Sequence, residues 1–330
     1  MIPNKILPLI HIPLLLLLGL LILLQIGTGE YPISIKDTLA SLLGIGLPEH
    51  DFIVNTLRLP RTLIGLGVGA SLAVAGTLLQ GITLNPLASP GVIGLNAGAG
   101  LTAVAGIVWL DVPLDWLPWM AFGGALLVAL LSYRLAWKQG LSPIRMVLVG
   151  IGIAAICQGL ITVATLSGNI RLVQQASIWM TGSLYGRSWE HFWPYLPWVV
   201  VFLPLAWLFS KQLDLLGLGD AAASGLGYRV HIGRTVLIGI AVALAGTSVA
   251  TAGTIGFVGL VAPHLARTLV GNKHAILIPT AALLGGLLVL AADFAGRTVL
   301  APVEIPCGLI TAMIGGPYMI YLLLREWRSA

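Results

Sequence analysis

Two arginines flank a proline in Arg58-Leu59-Pro60-Arg61. Each guanidinium is permanently charged and offers a planar fork of donors that fits a carboxylate. The proline between them fixes the local backbone. This pair can recognise an anionic partner or snorkel to lipid phosphates. A second dense stretch runs from Gly253 to Arg267 and carries Gly256, Phe257, Gly259, Pro263, His264 and Arg267. His264 has no second histidine or carboxylate at metal-ligand spacing, so it reads as a packing or interfacial residue and no metal is expected. The six histidines, at 11, 50, 191, 231, 264 and 274, are scattered and form no acid–base constellation. Cys157 and Cys307 lack C-x-x-C spacing and read as small apolar packing residues. No G-x-x-x-x-G-K-[ST] loop is present to cradle nucleotide phosphates. The chemistry on offer is therefore recognition rather than bond making, with no cofactor and no catalytic residue.

Ten apolar tracts position these groups: 6–26, 61–82, 92–110, 116–137, 145–166, 191–210, 234–252, 255–271, 275–293 and 305–324. Charged residues make up 9% of the 330 and hydrophobic ones 58%, with a mean hydropathy of +0.99. A soluble domain carries about 25% charged residues, so this chain must be solvated by lipid. A bilayer core of about 30 Å needs roughly 20 apolar residues per helix. The tracts are continuous, not alternating, which excludes a barrel. The expectation is an all-α polytopic membrane protein, one domain over 1–330 with about ten transmembrane helices in a single bundle. The eighth tract is short and broken by Pro263. The first reads as a retained helix, because no A-x-A cleavage site follows it.

Ten spans place both termini on one side. Counting loops with the termini inside puts eleven of the 17 basic residues on the cytoplasmic side, while nine of the 12 acidic residues lie outside. Lys and Arg bias sets orientation, so the net charge of +5 reflects topology and not nucleic-acid binding. Outer loops fall at about 27–60 and 167–190, and the longest cytoplasmic loop at about 211–233. That loop contains two short helical pieces separated by glycines, which would present Leu216, Leu218 and Leu226 to a partner or lay them on the headgroups. Asn85 to Gly91, with Pro86 and Pro90 and no charge, reads as a helix break buried at membrane depth. Tryptophans near tract ends form an interfacial belt.

One internal echo is visible. Ala73 to Thr77 precedes Pro86 as Ala250 to Thr254 precedes Pro263, with the proline nine positions after the threonine in each case. An offset of five spans is that of an inverted repeat; chance similarity in so simple a composition is the rival reading.

In order and spacing, R-L-P-R, N-P-L-A-S-P-G, L-G-L-G-D-A-A-A-S-G-L-G and G-T-I-G-F-V-G-L-V-A-P-H-L-A-R resemble the FecCD-type permeases over nearly the whole chain. Those are the membrane subunits of binding-protein-dependent ABC importers for ferric siderophores, haem and cobalamin. The resemblance implies that Arg58, Arg61 and Arg297 face an extracytoplasmic substrate-binding protein. It implies that Leu218, Gly219, Asp220, Ala223, Leu226 and Gly227 form a coupling loop for separate ATP-binding subunits. It makes Asn85, Pro86, Pro90, Gly91, Gly256, Phe257, Gly259, Pro263, His264 and Arg267 structural motif positions. It also implies pathway-lining spans at about 145–166 and 305–324, an outer segment over the pore at Trp179–Leu184, and a second permease subunit, identical or related. The implied location is the bacterial cytoplasmic membrane, with both termini cytoplasmic. The alternative is an ion-coupled secondary transporter. Such carriers place carboxylates in mid-membrane, and the only candidates here, Asp293 and Glu304, lie at the outer ends of tracts.

Overall fold

The computed structural model describes residues 7–29, 31–137 and 142–329, and these residues contain no β-strand. The helices are α1 (Leu7–Gly27), α2 (Ile35–Leu42), α3 (Pro48–Asp51), α4 (Leu59–Thr83), α5 (Leu95–Val108), α6 (Leu117–Ala136), α7 (Pro143–Ser167), α8 (Ile170–Met180), α9 (Trp189–Leu208), α10 (Ser210–Leu216), α11 (Asp220–Gly225), α12 (Val230–Ala252), α13 (Val258–Val270), α14 (His274–Thr298) and α15 (Cys307–Ser329). Seven described helical stretches are long and apolar enough to cross a membrane, and shorter apolar helices occupy Leu95–Val108, Val258–Val270 and Cys307–Leu322. Each apolar tract of the sequence falls on one of these elements. Lys5 and Lys138, which contributed to the orientation count, lie outside the described residues.

Two elements are shorter than the sequence suggests. At about 1.5 Å per residue, α5 and α13 are roughly 20 Å long, well short of a bilayer core. Both begin after a stretch of broken helix. Before α5, Leu84 takes a left-handed conformation (φ 51°), the Asn85 side chain accepts from Leu87 N at 2.9 Å, and Pro90–Ile93 makes one 3-10 turn. Before α13, Gly253 and Phe257 both have positive φ (76° and 66°). Much of this irregular backbone is buried in protein, including Ala88, Pro90, Gly94, Gly253 and Ile255, the condition under which non-helical chain is tolerated at membrane depth.

Pro263 does not break its span as expected. It sits within a continuous α13, and the interruption lies upstream at Gly253–Phe257. A proline leaves the carbonyl four residues earlier without its helical donor, here Gly259. That carbonyl abuts Gly76 of α4, where a Cβ would overlap its oxygen. Pro279 in α14 frees Ala275 in the same way, and Trp207 Nε1 donates to that carbonyl at 2.8 Å. The echo between the two halves is not mirrored locally either. Ala73–Thr77 lies inside α4, whereas Ala250–Thr254 straddles the end of α12; Pro86 is in a turn and Pro263 in a helix.

The helices α4 and α12 are the buried centre; α4 packs against α12, α13, α14 and α9. Close approach depends on absent side chains. A Cβ at Gly69 would collide with the carbonyl of Gly285 in α14, the use of small residues expected where apolar burial drives no association. By contrast α1, α7 and α9 expose long rows of Leu, Ile, Val and Trp.

Candidate functional site

Arg58 closes a π-helical turn, Phe52–Arg58, that feeds directly into α4. Such wide turns often mark functional sites. The two arginines turn to different partners. Arg58 is only 8% exposed, and its guanidinium turns inward to donate to the carbonyls of Ile26 (2.7 Å) and Tyr31 (2.6 Å). It thereby ties the end of α1 and the following loop to α4. Arg61, one turn on, bridges two carboxylates. Its Nη2 lies 2.8 Å from Asp293 Oδ1 and 2.9 Å from Glu304 Oε2, and Nε and Nη1 add bonds of 3.2 Å to each residue. Asp293 is 3% exposed, in the last turns of α14. Arg297, one turn further, places Nε 3.5 Å from Asp293 Oδ2 and donates to the Gln25 carbonyl at 3.0 Å and to the Gln25 side chain. Gln25 Nε2 in turn donates to Leu290 O at 2.7 Å and to Asp293 at 3.3 Å. Arg61 and Arg297 thus share two carboxylates at one end of the bundle, while Arg58 beside them is held by main-chain carbonyls alone.

Sequence reasoning did not find Gln25, nor that Asp293 and Glu304 neutralise Arg61. These residues lie more than 230 positions apart, and no local pattern joins them. The one signal was an amide at the end of an otherwise apolar first tract.

The two broken segments meet. Ser89, Pro90, Gly91 and Asn96 face Ile255, Gly256, Phe257, Gly259 and Leu260 across a cavity of about 210 Å³, with Leu72 of α4 at its wall. The Asn96 Oδ1 lining it is buried without a hydrogen-bond partner. The motif residues Pro90, Gly91, Gly256, Phe257 and Gly259 therefore form one unit, while Asn85 and Pro86 belong to the exposed turn before it. His264 and Arg267 lie further along α13. His264 Nδ1 is 2.7 Å from Tyr318 Oη on α15, and Arg267 donates to Gln80 on α4. Both bind helices together, as a packing role requires.

At the opposite end from the arginines, α10 and α11 are the two short pieces expected in the 211–233 loop. Leu216 is not presented: it is buried, as is Leu213, because α10 folds back onto α4 and α14. Leu218 and Leu226 are exposed (60% and 66%), and Ala223 is buried beneath them. Gly219 (φ 89°) and Gly227 (φ 80°) supply the left-handed turns at either side of α11. The loop is pinned at two points. Arg234 of α12 makes a paired contact to Asp220 (2.6 and 2.8 Å), and His274 of α14 meets Asp214 at 2.5 Å. Burial raises the Tyr228 hydroxyl above its ordinary pKa, in spite of nearby Arg234.

The described residues contain no group of three or more His, Cys, Asp or Glu able to hold a metal.

Comparison with known proteins agrees over nearly the full length. The Fe(3+)-citrate import system permease protein YfmE of Bacillus subtilis is 42% identical over 326 residues, 98% of this chain and 97% of that one. The Fe(3+) dicitrate transport system permease protein FecD of Escherichia coli is 41% identical, covering 84% of this chain and 86% of its own. A solved metal-chelate type ABC transporter in an inward-facing conformation superposes with a TM-score of 0.87 at 28% identity, covering 96% of this chain and 99% of that one. A chain of PsaBC from Streptococcus pneumoniae shares the fold alone, at TM-score 0.55 and 17% identity. The model of the FecCD transport family matches residues 15–325, and the chain belongs to that family.

Proposed function

We propose that this chain is a permease subunit of an ABC importer in the bacterial cytoplasmic membrane. Paired with a second permease subunit, it would form the pathway for an iron(III) chelate of the siderophore or citrate kind, with both termini cytoplasmic and the chain acting as one domain. The observation that carries the reading is the α10–α11 loop. It is anchored by Asp214–His274 and Asp220–Arg234 yet turns Leu218 and Leu226 outward. An exposed apolar pair on a pinned loop suits a docking surface, and this chain has no phosphate-binding loop of its own. An ATPase seated there would pull on α12 and α14 together.

At the outer end, docking of a substrate-binding protein would involve Arg58, Arg61 and Arg297. Arg61 is the group able to respond, because Glu304 is the more exposed of its two partners (32% against 4% for the side chains). An acidic residue of the binding protein would exchange with Glu304, while Arg58 and Asp293 hold the frame. The rival ion-coupled carrier needs a titratable carboxylate at mid-membrane. Asp293 and Glu304 are both engaged by Arg61 at the outer end, which favours the ABC reading. Vesicles carrying the permease pair decide the matter. Chelate uptake is expected only with the ATPase subunits and ATP inside; uptake that follows a proton gradient without them overturns the proposal.

A further inference from the structure

We propose that a cavity between the outer ends of α6, α9 and α12 binds a phospholipid with a primary-ammonium headgroup. The cavity has a volume of about 360 Å³ and shares no lining residue with the one between Pro90 and Phe257. It opens at the same end as the arginine cluster: Trp189, at the start of α9, donates from Nε1 to Asn55 O at 2.8 Å, within the turn that ends at Arg58.

Its walls are graded along the membrane normal. Asp115, Glu190 and His191 stand at the mouth; one to two turns deeper come Trp119 and Pro194; Phe122 and Trp198 close the floor with ring centroids 5.0 Å apart. From Glu190 to Trp198 the helix descends about 12 Å, from headgroup level into hydrocarbon. Two of the deep polar side chains are already used. Tyr195 Oη bonds Ser71 (3.1 Å) and Ser248 (3.2 Å), and Thr247 Oγ1 bonds Ala243 O (2.6 Å). A wholly polar ligand would find no partners in the lower half, and a wholly apolar one would waste the mouth. An amphiphile fits both.

The headgroup follows from the mouth. Neither Asp115 nor Glu190 forms an ion pair among the described residues. Two carboxylates repel an anionic glycerol headgroup. An ammonium brings three donors to them, whereas a trimethylammonium brings none.

The test uses the full chain in its purified complex, in nanodiscs of equimolar phosphatidylethanolamine, phosphatidylcholine and phosphatidylglycerol with identical acyl chains, read by native mass spectrometry. The ethanolamine lipid should be retained about tenfold over both the choline and the glycerol lipid, equivalent to about 1.4 kcal/mol, and a choline lipid held equally well would refute the primary-ammonium assignment. Asp115→Asn/Glu190→Gln, at exposed positions, should keep assembly and abolish the preference. A photoreactive ethanolamine lipid provides the second reading on the unmodified protein, with labels expected in 115–122 and 190–198. Equal retention of the three lipids, an unchanged preference in the double variant, or labelling confined to other segments would overturn the proposal.

Discussion

Asp293→Asn tests how the arginine end of the bundle is held together. Asp293 is 3% exposed and serves Arg61 at 2.8 Å, Arg297 at 3.5 Å and Gln25 at 3.3 Å. Removing its charge leaves two largely buried guanidinium groups facing a neutral amide. Breaking one partner out of a buried pair costs roughly 3–5 kcal/mol, because the remaining charge stays desolvated. Glu304 binds the same arginine at 2.9 Å but is a third exposed, and a partly solvated pair contributes about 0–1 kcal/mol. The two neutralisations therefore differ by at least about 2 kcal/mol, although both remove one acceptor of Arg61. Unfolding of the purified chain by denaturing detergent in mixed micelles gives the two free energies. Adding Arg61→Gln to Asp293→Asn should recover part of the loss, because the stranded charge goes with it. If Asp293→Asn costs no more than Glu304→Gln, the cluster is not organised around Asp293 and the reasoning fails.

Other expectations follow from single contacts. Gly76→Ala should lower the thermal midpoint strongly, because its Cβ overlaps the Gly259 carbonyl, while Gly256→Ala, with nothing within 4 Å of its Cβ, should melt like the parent. Ser224→Cys, exposed on α11, should cross-link to the ATPase subunit, and Leu216→Cys, buried at the end of α10, should not. Arg234→Gln removes both bonds to Asp220; ATP hydrolysis should persist while chelate uptake falls by more than tenfold. Trp207→Phe strips the donor from the carbonyl freed by Pro279, and a loss of about 1 kcal/mol in the same unfolding assay is expected.

The apolar tracts were legible because lipid demands long uninterrupted runs, and every tract from 6–26 to 305–324 lies on a helix. The eighth tract was visibly short, but the ends of the two short helices were not legible. Their lengths depend on where Leu84, Gly253 and Phe257 leave helical geometry, and a leucine or phenylalanine at positive φ carries no sequence flag. Pro263 misled in the opposite sense: a helix tolerates it when a neighbour such as Gly76 covers the freed carbonyl. The inner loop was legible in its glycines, but the burial of Leu216 was not, since one turn of rotation decides which leucine faces out. Arg58 and Arg61 could be found from spacing. Their partners could not: Arg58 turns to the carbonyls of Ile26 and Tyr31, and Arg61 to Asp293 and Glu304, which the fold gathers from distant segments.

The side-chain-free crossings on α4 have a mechanical consequence. Gly69 is fixed to Gly285, and Gly76, two turns on, is fixed to Gly259. Main chain meets main chain at both crossings, so neither can slide without one backbone climbing over the other. α4, α13 and α14 consequently behave as a single strut. Arg61 and Asp293 stand at one end of it, and His274, partner of Asp214 in α10, at the other. The roughly 29 Å between Asp293 and His274 along α14 is thus spanned by continuous helix braced twice by main-chain contact, and not by slack chain.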